Sequence, residues 1–349
     1  QVIKLSVVSA AQPQLPIAVN KPLSVSALSL ETILDNRTLS FRQQEIAAIF
    51  KVQDKLVQLF REYLINNDFT EIFTPKIVAT GTEGGSELFS VKYFETKTYL
   101  AQSPQFYKQQ LVGGGFERVF ETAHVYRAEQ HNTSRHLNEY YSLDYEMGFI
   151  DSEEDIMRFE MGLLSYMFKG VEESCQSELS YFNVKIPQFK EIPIISLQEA
   201  CEILKKKFNK ESYGDIDPEG EKLLCEHFSK EGGLPLVFIN DYPKSKRPMY
   251  AMPHEKKEGL TRSFDLLFNG LEITTGGQRI HNYDMLVESI RGRGLDPSQF
   301  KDYLEIFKYG MPPHGGLAIG AERLTMKLLN LSNIREACFY PRDRVRITP

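Results

Sequence analysis

Three arginines, Arg127, Arg279 and Arg323, stand in strand or strand-to-helix settings beside glycines or acids. A guanidinium on a sheet face that will be covered must find an anion, and its planar fork matches carboxylates and phosphates. The complementary half is acidic. Asp265 and Glu272 flank an Asn269-Gly270 turn and are expected to converge across a hairpin. Hard oxygen donors of this kind suit Mg²⁺ beside a polyanion. Two plainer readings stay open: the acids are solvated on an exposed hairpin, and each arginine is paired with a nearby glutamate, Arg279 with Glu272 in particular.

The stretch VYRAEQHNTSRHLNEYYSLDYEM, residues 125–147, sharpens the chemistry. Two strand-like runs flank a polar loop, and a period of two sends residues 127 and 129 to one side and residues 140, 144 and 146 to one side. If the two sets share a face, that face carries an arginine, three carboxylates and an aromatic ring, which is the composition of a ligand platform. No activated nucleophile accompanies it: His136, His281 and His314 are widely separated and there is no GxSxG. The glycines of GGLAIGAER fit neither the GxxxxGK[ST] nor the GxGxxG pattern. The chemistry expected is therefore transfer by positioning and electrostatics.

Several elements must hold these residues. Ile46, Ile49, Phe50, Val52, Leu56, Leu59, Phe60 and Leu64 recur at helical intervals within residues 40–69, predicting a long amphipathic helix. TEIFTPKI reads as a strand bent at Pro75, suited to an edge or an interface. SPQFYKQQLVGG reads as a short helix with Ser103 as cap and Pro104 at its first position. SEEDIMRFEMGLLSYMFKGVEE reads as a further helix. Residues of about 180–260 hold two further helices and the strand LPLVFI; they carry few motifs and are expected to pack beside the core as an insertion-like helical region. Hairpin-joined strands with helices between groups indicate an α+β fold built on an antiparallel sheet.

The bulk composition removes other classes. With 349 residues the chain can bury a large core, and a net charge of −6 argues against a uniformly basic nucleic-acid binder. No run approaches 18 apolar residues, so no membrane partner is expected. Four cysteines without a CxxC point to reduced thiols and a cytoplasmic setting. QVIKLSVVSAAQPQLPIAV, residues 1–19, reads as the trailing strand of a domain whose body is expected upstream, with residues 20–40 as linker and 41–349 as the main domain. The alternative is an edge strand of the main domain.

In order along the chain, FTEIFTPKI, FERVFETAHVYRAE…RHLNEYYSLDYEM and GGLAIGAERLTM resemble the three signature motifs of class II aminoacyl-tRNA synthetases. LDNRTLSFR, TEGGSELF, YLAQSPQFYKQQ, LDYEM, GGQRIH and FYPRD resemble the aspartyl branch of eukaryotic and archaeal type, and the resemblance covers nearly the whole chain. It implies a class II antiparallel sheet flanked by helices, the end of an OB-fold anticodon-binding domain at residues 1–19, and a homodimer with motif 1 at its interface. It implies activation of L-aspartate with ATP and Mg²⁺ and transfer to tRNA-Asp. By that resemblance Arg127 would hold the α-phosphate, Glu129 the adenine side, Tyr140 would stack on adenine, and Arg135 and His136 would reach the outer phosphates. Arg323 would cover adenine's other face and contact the γ-phosphate, and Asp265 and Glu272 would position Mg²⁺. Aspartate would lie against Gln105, Lys108, Asp144, Thr275 and Arg279, with Glu83 on a loop closing over it. Lys108 and Asp144 favour aspartate over asparagine. The chain departs from the pattern at Thr275, Gly277 and Tyr140, where family members commonly have Ser, Ala or Ser, and Phe. Two other readings of the same resemblance are a synthetase-like asparagine synthetase and a non-catalytic paralogue.

Overall fold

The computed structural model describes residues 2–23, 27–81 and 87–348. Its centre is an eight-stranded sheet in the order β1 (Thr70–Glu71), β5 (Arg118–Tyr126), β6 (Glu139–Gly148), β11 (His314–Gly320), β10 (Leu271–Arg279), β9 (Ser263–Phe268), β8 (Leu236–Asn240) and β7 (Ile194–Ser196). The strands from β5 to β8 are antiparallel to their neighbours, as hairpin-rich sequence predicts. The two edge pairs, β1 with β5 and β7 with β8, are parallel, which makes the sheet mixed. A small antiparallel sheet, β2 (Ile77–Val78), β4 (Thr96–Leu100) and β3 (Ser90–Tyr93), stands beside it.

Eight helices of seven or more residues are labelled α1 (Gln44–Ile65), α2 (Gln105–Leu111), α3 (Glu153–Ser174), α4 (Leu197–Phe208), α5 (Pro218–Gly232), α6 (Tyr283–Arg291), α7 (Lys301–Lys308) and α8 (Ala321–Leu328). The apolar positions of α1 predicted from spacing, Ile46, Ile49, Phe50, Val52, Leu56, Leu59, Phe60 and Leu64, are all buried. They join α3 and one face of the sheet in a single core with Phe120, Leu143, Tyr145, Phe168, Leu317 and Ile319. Full burial of each such side chain stabilises the fold by about 1.5–3 kcal/mol. Helix α3 begins at a capping box in which Ser152 and Asp155 satisfy each other's backbone donors. At α2 the cap is Pro104 itself, and Ser103 Oγ accepts the Gln105 N–H at 3.3 Å.

Alternation along three central strands sorts residues between the core and the opposite face. Leu143 and Tyr145 on β6, and Leu317 and Ile319 on β11, face the helices. The residues between them, Ser142, Asp144 and Glu146 on β6 and Gly316, Ala318 and Gly320 on β11, are register partners on the other face. The β9–β10 hairpin turns through Asn269 and Gly270, both at positive φ, the geometry that a tight two-residue hairpin requires. A bulge in β10 between Glu272 and Thr274 then shifts the register by one. It brings Glu272 and Thr275, three residues apart, to the same face, where Thr275 Oγ1 donates to Glu272 Oε1 at 3.1 Å.

Two segments differ from expectation. The motif-poor stretch of about 180–260 does not simply sit beside the core: β7 and β8 extend the main sheet, with α4 and α5 packed on them. Residues 2–19 form no strand and are mostly exposed, apart from Ile17, although Gln43 Nε2 donates to Ala18 O at 2.9 Å. They therefore provide no edge strand to the main sheet.

Arg37, ahead of α1, is buried against the rings of Phe41 and Phe50. Its guanidinium donates to the carbonyls of Glu336, Cys338 and Phe339, and burial lowers its pKa to about 10. Arg37→Ala leaves three carbonyls short of a donor and is expected to destabilise the fold by roughly 3 kcal/mol. Urea denaturation checks this, and an unchanged midpoint would show that the anchor carries no load.

Candidate functional site

The face opposite the α1–α3 core forms a cleft whose floor is the register-matched set Tyr140, Ser142, Asp144 and Glu146, then Gly320, Ala318 and Gly316, then Thr275, Gly277 and Arg279, with Asp265 behind. Small residues on β11 are the reason the middle of this floor is open. The expectation that residues 127 and 140 share a face holds, with the Arg127 guanidinium 5.6 Å from the Tyr140 ring centroid.

One half of the cleft is a cationic chamber. Arg127, Glu129, Arg135, His136, Tyr140, Glu272, Thr275 and Arg323 all line one space open at its mouth. Arg323, in the first turn of α8, donates to the Glu272 carbonyl at 3.0 Å and lies 3.4 Å from its carboxylate. The His136 pKa is depressed to about 4 by burial and by the charges of Arg323, Arg135, His131 and Arg127. A ring kept neutral by surrounding cations identifies a place where an anion is welcome. Arg135 forms a bidentate pair with Glu221 on α5, at 2.8 and 2.7 Å. Glu221 had no sequence signal beyond its place in a helix.

Asp265 and Glu272 do converge, but not as cross-strand partners: Asp265 is opposite Thr275 and Glu272 opposite Leu267. Burial raises the Glu272 pKa, and the charge of Asp265 raises it further. Arg247, which the sequence reading missed, grips both Asp265 oxygens at 2.8 and 2.6 Å. Arg247 lies in a loop with no periodicity to draw attention to it. Two hard carboxylates held close enough to repel each other, with Glu272 lining the cationic chamber, fit a Mg²⁺ ion bound with a polyphosphate.

The other half of the cleft is a buried ionic cluster. Lys108, on α2, is completely buried and donates to Asp144 Oδ1 at 2.8 Å, Leu317 O at 3.2 Å and Tyr145 O at 3.3 Å. An ammonium has three donors, and these interactions use all three. Glu146, also fully buried, accepts from Arg279 Nε at 3.0 Å and Gln105 Nε2 at 3.2 Å, with Lys108 at 3.5 Å. Burial pushes its carboxyl up, but Arg279 and Lys108 more than offset this and leave it below the usual range. Arg279 therefore pairs with Glu146 and not with Glu272. The contact spans β11, where only Gly316 leaves room: a Cβ there would press on the Tyr145 carbonyl and the Glu146 carboxylate. Glu146 was visible as part of the alternating face, but nothing in the sequence singled it out as the hub. Glu83 lies outside the described residues.

An arginine-lined chamber thus lies beside a buried ionic cluster on one face of the sheet, with Ser142 of the chamber wall donating to Asp144 of the cluster. A family model described as tRNA synthetases class II (D, K and N) matches residues 29–344, and the chain belongs to that family. Among curated relatives, the aspartate–tRNA(Asp/Asn) ligase of Thermus thermophilus is 52% identical, covering 96% of this chain and 79% of its own. The aspartate–tRNA(Asp) ligase of Pyrococcus furiosus is 45% identical, covering 99% and 79%. Among solved structures, asparaginyl-tRNA synthetase from Pyrococcus horikoshii complexed with asparaginyl-adenylate superposes with a TM-score of 0.91 at 33% identity, over 99% of this chain and 79% of that one. Aspartyl tRNA synthetase from Entamoeba histolytica gives 0.86 at 33%, over 98% and 72%.

The depressed His136 has a measurable consequence. Its ring is neutral in the fold, whereas in the unfolded chain it takes a proton below about pH 6.5. The unfolded state thus binds more protons between about pH 6.5 and 4, and this contribution to stability falls as pH drops through that window. Glu160 and Glu322, each raised to about 8 by burial, act in the opposite sense, losing stability as pH rises toward 8. The His136 part is therefore read as a difference. Between pH 7 and 5 the stability of His136→Gln should shift in the variant's favour by about 1 kcal/mol, a value discounted for the half-open ring. Parallel stability curves would show that the ring titrates normally.

Proposed function

We propose that the protein activates L-aspartate with ATP to aspartyl-adenylate and transfers the aspartyl group to tRNA-Asp. The observation that carries this reading is the adjacency of the arginine-lined chamber and the Lys108–Asp144–Glu146–Arg279 cluster on one sheet face, where Ser142 of the chamber wall bonds Asp144. The chamber suits the triphosphate and the cluster suits a small zwitterion with a charged side chain. The names of the relatives at 45–52% identity support aspartate as that amino acid. With no helix among the described residues able to cross a membrane, the cytoplasm is the proposed location.

In the first step the α-carboxylate of aspartate attacks the α-phosphorus, the bond to the bridging oxygen breaks, and pyrophosphate leaves. Arg127 takes the charge that develops on the α-phosphoryl oxygens. Arg323, with Arg135 and neutral His136, holds the outer phosphates in line, and Tyr140 supports the base, with Glu129 at its edge. Positioning and charge stabilisation of this kind need no covalent enzyme intermediate. Glu272 and Asp265 would hold the Mg²⁺ that, when bound, neutralises the polyphosphate. In the second step a terminal ribose hydroxyl of the tRNA attacks the acyl carbonyl and AMP departs.

Amino-acid selection is assigned to Arg279, held in place by Glu146 and Gln105 and with Thr275 on the same face. The completed hydrogen bonding of Lys108 makes it the fixed countercharge of Asp144 and Glu146, not an arm reaching for substrate. A buried guanidinium aimed at a carboxylate rejects the amide isostere, because the amide presents donors to donors. Aspartate-dependent exchange of pyrophosphate into ATP tests both halves. Arg127→Ala should lose roughly 10²–10³-fold, the scale of one missing transition-state donor. Arg279→Gln should lose aspartate activation and discrimination against asparagine while ATP affinity barely moves. Near-normal exchange in the first, or equal losses for ATP and aspartate in the second, would sink the assignment. Charging of tRNA-Asp and tRNA-Asn in parallel defines the acceptor.

A homodimer is part of the same proposal. Phe73 and Ile77, on either side of Pro75, and Phe116 are exposed, an apolar set beside the sheet's edge strand β1. Two copies related by a two-fold axis would cover it isologously. Sedimentation at micromolar concentration should report a dimer, and a stable monomer would refute it.

A further inference from the structure

Away from the cleft, three residues from distant parts of the chain converge: Glu153 in the first turn of α3, Asp241 just after β8, and His254 in the loop before β9. Each offers one potential ligand atom, and these atoms lie within 4.8 Å of one another. Glu153 and Asp241 are 6% and 5% exposed, so neither carboxylate is simply solvated. Asp241 Oδ1 is buried without a hydrogen-bond partner among the described residues. An unsatisfied oxygen on a buried carboxylate is costly, because the group has given up water without a replacement partner. The fold bears that cost at a residue it also holds at a positive φ of 60°.

One short exposed segment contacts two of the three residues. The Lys257 ammonium bonds Asp241 Oδ2, and the Lys256 N–H donates to His254 Nδ1 at 3.1 Å. The Lys257 side chain is half exposed. An ammonium on one ligand and an N–H on another make a substitute for a cation, supplied by two consecutive residues.

We propose that Glu153, Asp241 and His254 form a second cation site, built for a divalent transition metal of the zinc type and plugged in its absence by Lys256 and Lys257. Two carboxylates and an imidazole favour such an ion over Mg²⁺ or Ca²⁺, which take oxygen donors. Binding displaces the Lys257 ammonium from Asp241 and frees His254 from Lys256 N–H. The ion then ties the loop before β9 to the start of α3. That loop also carries Arg262, whose guanidinium holds Gln278 Oε1 at 2.7 Å, next in sequence to Arg279. The ion would thus brace the backbone behind the amino-acid pocket without touching substrate.

The test is equilibrium dialysis of the chelator-stripped full chain against buffered Zn²⁺, without ATP. One equivalent should bind, Asp241→Asn and His254→Gln should each weaken it at least tenfold, and Glu272→Gln should leave it unchanged. Lys257→Ala should tighten binding about tenfold, because the internal competitor is gone; a gain of affinity cannot arise from misfolding. Absence of a bound equivalent, loss confined to Glu272→Gln, or affinity indifferent to Asp241→Asn would overturn the site. Unchanged or weaker binding in Lys257→Ala would overturn the plug.

Discussion

The contact on which the molecule depends is the ionic cluster of Lys108, Asp144, Glu146 and Arg279. Two cations and two anions are sealed under α2 and across β6, β11 and β10. The desolvation of four charges is expensive, and only close mutual pairing offsets it. Removing one partner strands the others, so the cluster fixes the register of three strands as firmly as the apolar core does. It also explains the small residues of β11. A side chain at position 316 would occupy the space through which Arg279 reaches Glu146. A glycine-rich strand that matches no nucleotide fingerprint is here because a salt bridge passes over it.

The chamber next to it works by the opposite principle. The cluster is sealed from solvent, whereas the chamber is open at its mouth and sets arginines beside carboxylates, Arg323 with Glu272 and Arg135 with Glu221. The two regions lie side by side on one sheet face, joined through Ser142 and Asp144.

Much of this was legible in the sequence, because strand period and side-chain chemistry coincide. Alternation in residues 139–148 shows which side chains share a face, the Asn269-Gly270 pair marks its hairpin, and the spacing in α1 predicts each buried position. What was not legible came from partners distant in sequence. Arg247 sits in a loop and Glu221 on a helix, and neither position announces that it will meet Asp265 or Arg135. Strand β8 is legible in LPLVFI, whereas β7 is hidden because a three-residue strand pairing in parallel leaves almost no local pattern. The resemblance alone places Lys108 beside the substrate, and nothing in its local sequence shows that its ammonium meets Asp144, Tyr145 and Leu317.

The bulge in β10 sets a rule of parity for that strand. Because of one extra residue near Ile273, everything from Thr275 to Arg279 alternates out of step with Glu272, and both sets of polar groups reach the cleft. Removing that residue would exchange inside for outside along the rest of the strand, placing the guanidinium of Arg279 in the apolar layer. Length changes in this stretch are therefore tolerable only in pairs. Over evolutionary time the strand is constrained in the count of its residues as well as in their identity, a kind of constraint that no single-residue substitution can reveal.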